Sequence, residues 1–195
     1  MYPPSIEKLI KIFCRFPAIG PRTATRFAFY CLNSSPQEID EFIAALKEVK
    51  EKVNLCKSCF RSVESGPDTC AICSNPKRNK DMLCVVEKET DLISIEKTGE
   101  YNGLYFILGG TVSPLRREDL KQIRAEELKR RVEGVKEVII ATNQNTEGEA
   151  TAIFITRILN SLGIKTTRLG RGLSTGSELE YADEETLSFA LRGRK

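Results

Sequence analysis

The spacing of apolar residues predicts three helices in the first third of the chain. Apolar side chains recur there at intervals of three and four residues, which is typical of a helix with one buried face. We expect Ser5 to cap the first helix and Phe16-Pro17 to end it, since a residue before proline avoids the helical region. The buried face of this helix is predicted to consist of Ile6, Leu9, Ile10 and Phe13.

The second and third helices have clearer start signals. Pro21 suits the first position of a helix, where its missing N–H is not needed. Ser35 and Glu38 have the spacing of a capping box, which predicts the start of the third helix. The apolar face of that helix extends to Val53.

Beyond residue 80 the pattern changes to short apolar runs separated by helical segments. Such alternation predicts a mainly parallel sheet covered on both faces by helices. The whole chain is therefore expected to be an α+β multidomain protein. In parallel sheets, functional side chains gather at the carboxyl ends of the strands. The predicted strands are residues 82–86, 104–108, 138–141 and 164–169, and the predicted helices are residues 91–95, 118–132, 146–162 and 184–191.

Two Cys-x-x-Cys pairs, Cys56 with Cys59 and Cys70 with Cys73, are separated by ten residues that contain a Gly-Pro turn. Each pair places two thiolates on one tight knuckle, and the turn lets the second knuckle fold back on the first. Four thiolates around one ion form the closed tetrahedral arrangement of structural Zn²⁺. The segment has too few apolar side chains for a core, so the metal is expected to supply folding free energy, on the order of 10–16 kcal/mol in zinc modules.

Other interpretations of these cysteines are two disulfides, a redox pair or an iron–sulfur cluster. Disulfides need an oxidising compartment, whereas the seven cysteines are an odd number and the first residues lack a long apolar signal core. A redox pair does not explain the second Cys-x-x-Cys. An iron–sulfur cluster stays open, but the compact spacing favours one structural Zn²⁺ per chain. Cys14, Cys31 and Cys84 lie in or beside apolar runs and are expected to be core thiols.

Composition and charge narrow the function classes further. The chain has no stretch of 18 apolar residues that predicts a membrane span, and we expect a cytoplasmic protein. Of the net charge of +3, residues 1–80 contribute +5 (13 Lys and Arg against 8 Asp and Glu) and residues 81–195 contribute −2 (17 against 19). A mildly basic amino-terminal block is compatible with nucleic-acid binding but does not establish it.

The connection between the first two predicted helices, residues 16–22, resembles the turn of a helix–hairpin–helix. That motif presents backbone N–H groups at a helix N-terminus to a phosphate. Arg22 and Arg26, one helical turn apart, would add positive charge and make the contact independent of base sequence. An ordinary helical corner with two solvated arginines explains the same residues equally well. The usual hairpin has glycine at the position of Ala18, where a positive φ would cost alanine about 1 kcal/mol.

The order of these features resembles the RecR family of bacterial recombination mediators along essentially the whole chain. The resemblance rests on the four-cysteine spacing and on the stretches TEGEATA and LEYAD. It implies a helix–hairpin–helix region, a C4 zinc finger, an α/β Toprim domain of the kind shared with topoisomerases and primases, and a short carboxyl-terminal segment. The corresponding boundaries are residues 1–53, 54–76, 80–175 and 176–195.

The resemblance also identifies the position at which related enzymes hold Mg²⁺. Catalytic Toprim domains use a glutamate after the first strand and an Asp-x-Asp after the third, whereas this chain has Glu87 but Asn143-Gln144-Asn145. One carboxylate is a poor basis for Mg²⁺ chemistry, and the chain has no histidine to act as a general base. We therefore expect a non-catalytic Toprim domain. The alternative is a Mg²⁺-dependent nuclease or primase-like enzyme.

Three glutamates near this edge, Glu87, Glu147 and Glu149, are expected to help bind a partner protein, which the resemblance identifies as RecO. Glu149 has the spacing of a capping box with Thr146. We therefore expect Glu147 to contribute more to binding and Glu149 more to stability. The family has a Walker-B-like label near LEYAD that falls on Asp183, but we expect Asp183 to cap the last helix.

The resemblance implies a DNA-binding mediator of recombinational repair, and the amides at positions 143–145 indicate that it is non-catalytic. The resemblance implies that it acts with RecO and RecF to load recombinase onto gapped DNA. It also implies a homo-oligomer, from a dimer to a tetrameric ring around double-stranded DNA. A third interpretation is a zinc-dependent protein adaptor without DNA contact of its own. No membrane association is expected.

Overall fold

The computed structural model describes residues 2–113 and 123–194 of the chain. The chain divides into two compact units, Met1–Val53 and Asn54–Lys195. Within the described residues, no helix combines the length and the apolar composition that crossing a membrane requires.

Three helices form the amino-terminal unit: α1 (Pro4–Phe13), α2 (Pro21–Asn33) and α3 (Pro36–Lys52). Pro21 occupies the first turn of α2, as predicted. The capping box of α3 is confirmed, since Ser35 N donates to Glu38 Oε2 (2.7 Å) and Glu38 N donates to Ser35 Oγ (3.3 Å). The predicted cap at Ser5 is wrong, because α1 already begins at Pro4 and Ser5 lies inside its first turn.

The amino-terminal unit buries little of its apolar surface. In its described part, only Ala24 and Ala28 of α2 are buried. α3 has no buried residue, and Leu46 on its apolar face is 52% exposed. Cys14 is exposed and Cys31 is partly exposed. The prediction that both are core thiols is therefore wrong for the single chain.

The carboxyl-terminal unit starts with a hairpin and a short helix that hold the two cysteine pairs. β1 (Val53–Leu55) pairs with β2 (Ser62–Glu64), and the first pair lies in the turn between these strands. The second pair lies at the start of α4 (Ala71–Ser74). The two predicted knuckles therefore have different local structures, one a hairpin turn and the other a helical turn.

A four-stranded parallel sheet follows, with its strands in the order β4-β3-β5-β6. Helices connect successive strands, as the alternating pattern predicted. The strands are β3 (Asn79–Val86), β4 (Gly103–Ile107), β5 (Glu137–Ala141) and β6 (Lys165–Arg168), and the helices are α5 (Glu89–Glu96), α6 (Ala125–Arg131), α7 (Thr146–Ser161) and α8 (Glu184–Arg192).

The sheet separates two apolar layers. On one face Leu83 of β3 packs in a cluster with Leu128 of α6 and Ile155 of α7. On the other face Cys84 packs in a cluster that includes Leu92 of α5 and the buried cysteines of the knuckles. Cys84 is 1% exposed, which confirms the prediction of a core thiol. The knuckles are thus part of one layer of the core.

Two predicted helices differ in detail from the structure. α6 is shorter than the predicted helix 118–132, of which residues 118–122 lie outside the described residues. α7 is capped by Asn145, whose Oδ1 accepts from Gly148 N (2.8 Å). The predicted capping box between Thr146 and Glu149 is therefore wrong, because the helix cap lies one residue earlier.

Candidate functional site

The strand order places a crevice at the carboxyl ends of β3 and β5. The chain runs from β3 outward to β4 and then returns to the opposite side of β3 to form β5. Connections that leave in opposite directions open a crevice between two neighbouring strands, where ligands of open α/β sheets bind. Glu87 directly follows β3, and Asn143 follows β5 by two residues. The fold thus brings these two predicted site residues together.

The Glu87 carboxylate is held from one side by Asn143. Asn143 N donates to Glu87 Oε1, and Asn143 Nδ2 donates to Glu87 Oε2, both at 2.7 Å. A carboxylate accepts only, so the side-chain amide of Asn143 must present its NH₂ group. Glu87 is 2% exposed, whereas Asn143 lies on the surface. We call this arrangement the Glu87–Asn143 clamp.

Gly148 is a required part of this crevice that the sequence interpretation missed. A Cβ atom at this position would lie 2.0 Å from Asn143 O and 2.9 Å from Glu87 Oε1. The backbone is further held by Thr142 Oγ1, which donates to Gly148 O (3.0 Å). A glycine in the first turn of a helix costs stability relative to alanine. That cost is the signal in the sequence from which a close approach of other atoms to this backbone position could be inferred.

Glu149 is bound by arginines. Arg168 Nη1 and Nη2 donate to both carboxylate oxygens of Glu149, at 2.7 and 2.6 Å, and Arg171 also contacts this carboxylate. The hydrogen bond from Arg168, opposed by partial burial and reinforced by Arg171, lowers the pKa of Glu149 to about 2. The guanidinium of Arg171 lies 4.6 Å from the ring centre of Phe189 on α8. Glu149 thus connects α7 to β6 and to the carboxyl-terminal segment.

The remaining predicted acidic residues have simple surroundings. Glu147 is exposed in the first turn of α7. Asp183 caps α8, since its Oδ1 accepts from Thr186 N and its Oδ2 accepts from Thr186 Oγ1, both at 2.8 Å. The predicted helix cap at Asp183 is confirmed.

The four cysteines of the two knuckles converge on one point. The Sγ atoms of Cys56, Cys59, Cys70 and Cys73 all lie within 4.8 Å of one another. A tetrahedral Zn²⁺ with Zn–S bonds of about 2.3 Å requires sulfur atoms about 3.8 Å apart, so the set has the right size. All seven cysteines of the chain are free thiols. The disulfide interpretation therefore does not describe this structure.

Backbone groups around the sulfur atoms prepare the site for a cation. Cys70 N donates to Cys56 Sγ (3.3 Å). Although burial opposes ionisation, N–H groups of Cys70, Cys59 and Ser58 lower the pKa of Cys56 to about 7. By contrast, the neighbouring thiol of Cys73 and burial raise the pKa of Cys59. A cluster of this kind needs a cation to hold all four groups as thiolates.

The first knuckle is fastened to the edge strand of the sheet. Ile107 N at the end of β4 donates to Cys59 O (3.0 Å). The rings of Phe60 and Phe106 meet edge to face with centres 5.4 Å apart, and Arg124 lies over the ring of Phe60. Phe60 has φ of +64°, an uncommon conformation for a side chain of this size. The knuckle is thus held by the sheet as well as by its thiols.

The hairpin turn of the amino-terminal unit has an open end that can receive a phosphate. α2 begins at Pro21, and the preceding Gly20 has no side-chain cap and no atom within 4 Å of the position of a Cβ. The first N–H groups of a helix lack intrahelical partners, so they point toward the open space. Arg22 and Arg26 are both exposed on this helix. Ala18 has φ of +61°, so the turn uses a left-handed residue without glycine.

Comparison with known proteins gives the same order of domains. Residues 6–50 match the family described as "RecR, helix-hairpin-helix", residues 81–170 match "Toprim domain", and residues 172–195 match "RecR, C-terminal". Two relatives from Clostridium perfringens, from strains ATCC 13124 and 13, are both named Recombination protein RecR. Each is 47% identical over 194 residues, which are 99% of this chain and 97% of the relative.

Proposed function

The chain belongs to the RecR family of recombination proteins, and we propose that it is a non-catalytic, DNA-binding mediator of recombinational repair in the cytoplasm. In this proposal it acts with RecO and RecF proteins to load recombinase onto gapped DNA. The observation that carries the DNA contact is the open N-terminus of α2, beside which Arg22 and Arg26 are exposed.

The geometry of this turn supports phosphate contacts that are independent of base sequence. Free N–H groups and the positive end of a helix dipole favour an anion, and the two arginines add charge on the same face. Contacts of this kind position a protein on DNA without reading bases. A homo-oligomer, from a dimer to a tetrameric ring, would add such weak contacts together.

Apolar surface supports the proposed assembly from several copies. The helix α3 presents exposed apolar side chains along its length, of which Phe42 is 49% and Val49 is 58% exposed. Exposed apolar patches of this kind mark interaction sites. A second copy of the chain is the partner that we propose for this face.

Two further parts of the proposal concern the metal and the partner protein. The four thiols of the knuckles are proposed to hold one structural Zn²⁺, because a closed set of four sulfur ligands leaves no position for water or substrate. For RecO we propose a contact at Glu147, which is exposed, with lesser roles for Glu87 and Glu149. Glu87 is buried and Glu149 is already bound to arginines, so neither presents a free carboxylate.

DNA binding tests the proposal directly. The variant Arg22→Ala/Arg26→Ala should bind gapped duplex more weakly, and the slope of log affinity against log salt should fall by about 2. The charge-matched control is Lys80→Ala/Lys97→Ala, which removes two exposed cations from the carboxyl-terminal unit. An equal loss in both variants, or an unchanged slope in the first, would contradict the assignment to α2.

Binding of RecO tests the second part. Titration of RecO onto Glu147→Ala should show a clear loss of affinity with an unchanged melting temperature. Glu149→Ala should melt at a lower temperature with a smaller loss of affinity. Equal loss of affinity with unequal melting would contradict this division.

The enzyme class offers the alternative function, a Mg²⁺-dependent nuclease or primase-like protein. Nicking or relaxation of DNA by the purified chain in Mg²⁺, abolished in Glu87→Gln, would establish that alternative and reject the non-catalytic proposal. Binding of RecO without any DNA mobility shift would instead support an adaptor without DNA contact.

A further inference from the structure

The Glu87 carboxylate lies in an environment that normally requires a cation. Removing a carboxylate from water is costly unless a cation or several donors compensate it. Glu87 is 2% exposed. Among the described residues, none of the ion pairs involves Glu87. The two hydrogen bonds from Asn143, one to each oxygen, are what compensates the charge.

We propose that Asn143 takes the place of a divalent cation at this edge of the sheet. Its backbone N–H and its side-chain NH₂ supply two donors to Glu87, and hydrogen bonds to a charged acceptor are the strong kind. The clamp joins the end of β3 to the loop after β5. The edge is therefore formed without a metal ion and is closed to one.

The donors that face Glu87 support the closure. Mg²⁺ requires near-octahedral coordination by oxygen and usually keeps several waters. Glu87 Oε1 accepts from Asn143 N and Oε2 accepts from Asn143 Nδ2, so each oxygen already faces a donor. A cation would have to displace the side-chain amide of Asn143 to reach this carboxylate. The residues present thus do not fit the Mg²⁺ site of catalytic Toprim domains.

The clamp depends on a single NH₂ group, so an isosteric change should reverse it. Asn143→Asp would put a carboxylate oxygen where Nδ2 now lies, 2.7 Å from Glu87 Oε2. Two carboxylates at that distance do not both ionise unless a cation or a shared proton lies between them. Two hard anionic oxygens at the carboxyl edge of a sheet are also the ligands that Mg²⁺ and Mn²⁺ prefer. The variant should therefore gain a divalent cation site.

The matched control is the double variant Glu87→Gln/Asn143→Asp. It keeps one amide and one carboxylate in the same space. It changes only which of the two side chains donates the hydrogen bond and which accepts it. The side-chain NH₂ group introduced at position 87 would donate to the carboxylate introduced at position 143, so no cation would be required. This variant therefore separates the effect of two facing carboxylates from the effect of an aspartate at position 143.

Binding of Mn²⁺ by electron paramagnetic resonance, together with thermal unfolding, tests the inference. Asn143→Asp should bind one Mn²⁺ at least about tenfold tighter than the natural chain does. Without added Mn²⁺ its melting temperature should be roughly 4–8 °C lower than that of the natural chain. Saturating Mn²⁺ should restore most of this difference. The natural chain and the double variant should show neither response. Zinc content, measured in parallel, should be the same in all three proteins.

Two results would overturn the inference. One is Mn²⁺ binding by the natural chain that disappears in Glu87→Gln, because the clamp would then be open to a cation. The other is an Asn143→Asp variant that gains no Mn²⁺ affinity, whether it stays folded or unfolds at every Mn²⁺ concentration. Neither result concerns DNA or RecO, so the inference and the proposed function fail separately.

Discussion

The two units of the chain bury their apolar residues to very different degrees. In the carboxyl-terminal unit, residues from both faces of the sheet, such as Leu83 and Val86, are 0% exposed. In the described part of the amino-terminal unit only two alanines are buried, and large apolar side chains line an open groove of about 460 Å³. The groove is lined mainly by aromatic and aliphatic residues of all three helices and of the turn between α1 and α2, among them Phe13, Phe16, Phe27, Ile39 and Phe42.

This difference shows that similar amphipathic patterns in the sequence lead to different degrees of burial in the folded chain. Both units have amphipathic helices, but only the carboxyl-terminal unit has a sheet against which the helices pack. Three short helices do not enclose their own apolar faces, since a small unit has a large surface for its volume. We therefore expect the first unit to depend on contacts outside itself, and the second to be stable by itself once the proposed Zn²⁺ is bound.

The largest expected effect is loss of the metal from the second unit. Cys59→Ser removes one of the four proposed ligands, and metal binding contributes on the order of 10 kcal/mol to zinc modules. We expect elemental analysis to show loss of Zn²⁺. Backbone hydrogen exchange should become rapid in residues 56–73 and should increase less in the sheet. Cys14→Ser, at an exposed cysteine, is the control and should keep its metal. Iron in place of zinc would contradict the proposed metal.

A pair of leucine variants sharpens the comparison of the two cores. Leu128 is 0% exposed and Leu46 is 52% exposed. Leu128→Ala should cost about 2–5 kcal/mol of unfolding free energy at any protein concentration. Leu46→Ala should cost less than about 0.5 kcal/mol in dilute protein but more at concentrations where copies associate. Chemical denaturation at two protein concentrations measures both free-energy changes. If the change caused by Leu46→Ala does not depend on protein concentration, assembly through α3 is contradicted.

The third prediction concerns the ion pairs that connect α7 to the carboxyl-terminal segment. Arginines lower the pKa of Glu149 from its ordinary value of 4.5 to about 2. A depressed pKa stabilises the folded state above pH of about 4.5, and this contribution is lost as the pH falls toward 2. Because the side chain is 34% exposed, solvent screening reduces the effect to about 1–2 kcal/mol.

Glu149→Gln should therefore lower the free energy of unfolding at pH 7 and have a much smaller effect near pH 2.5. Glu147→Gln, at an exposed glutamate two residues earlier, should change stability little at either pH. Chemical denaturation of both variants at the two pH values measures these changes in unfolding free energy. An effect of Glu149→Gln that is equal at both values would show that the arginine contacts do not carry it.

The smallest predicted effect returns to the amino-terminal unit. Ala18 has φ of +61°, where alanine pays about 1 kcal/mol that glycine does not. Ala18→Gly should relieve this strain and stabilise the unit by up to about 1 kcal/mol. The gain stays below the full strain energy because glycine loses more conformational freedom on folding than alanine does. Ala44→Gly inside α3 should destabilise by a similar amount. Urea denaturation, monitored by helix content, should show changes in unfolding free energy of opposite sign for the two variants. Destabilisation by both substitutions would contradict the assigned turn conformation.

Much of the fold followed from local pattern. The capping box at Ser35, the helix start at Pro21, the cap at Asp183 and the parallel sheet depend on interactions between residues that are close in sequence or on simple alternation. Such features are encoded locally, so a sequence interpretation can find them. The spacing of the four cysteines likewise predicted the cluster that the structure shows.

Other features depended on tertiary contacts, and these account for the errors. The apolar pattern predicts Cys14 and Cys31 in a core, but the described part of the amino-terminal unit has no sheet of its own against which its helices could pack. The spacing of Glu149 predicts a capping contact three residues away, whereas its arginine partners lie 19 and 22 residues further along the chain.

The sequence by itself determined which groups are present at the crevice: one carboxylate, amides in place of two aspartates, and a glycine in the first turn of α7. Only the tertiary structure decided what they do, because it takes the pairing of β3 with β5 to bring Asn143 within 2.7 Å of Glu87 across 56 residues. Contacts across such separations depend on the assembled sheet, and no local pattern specifies them.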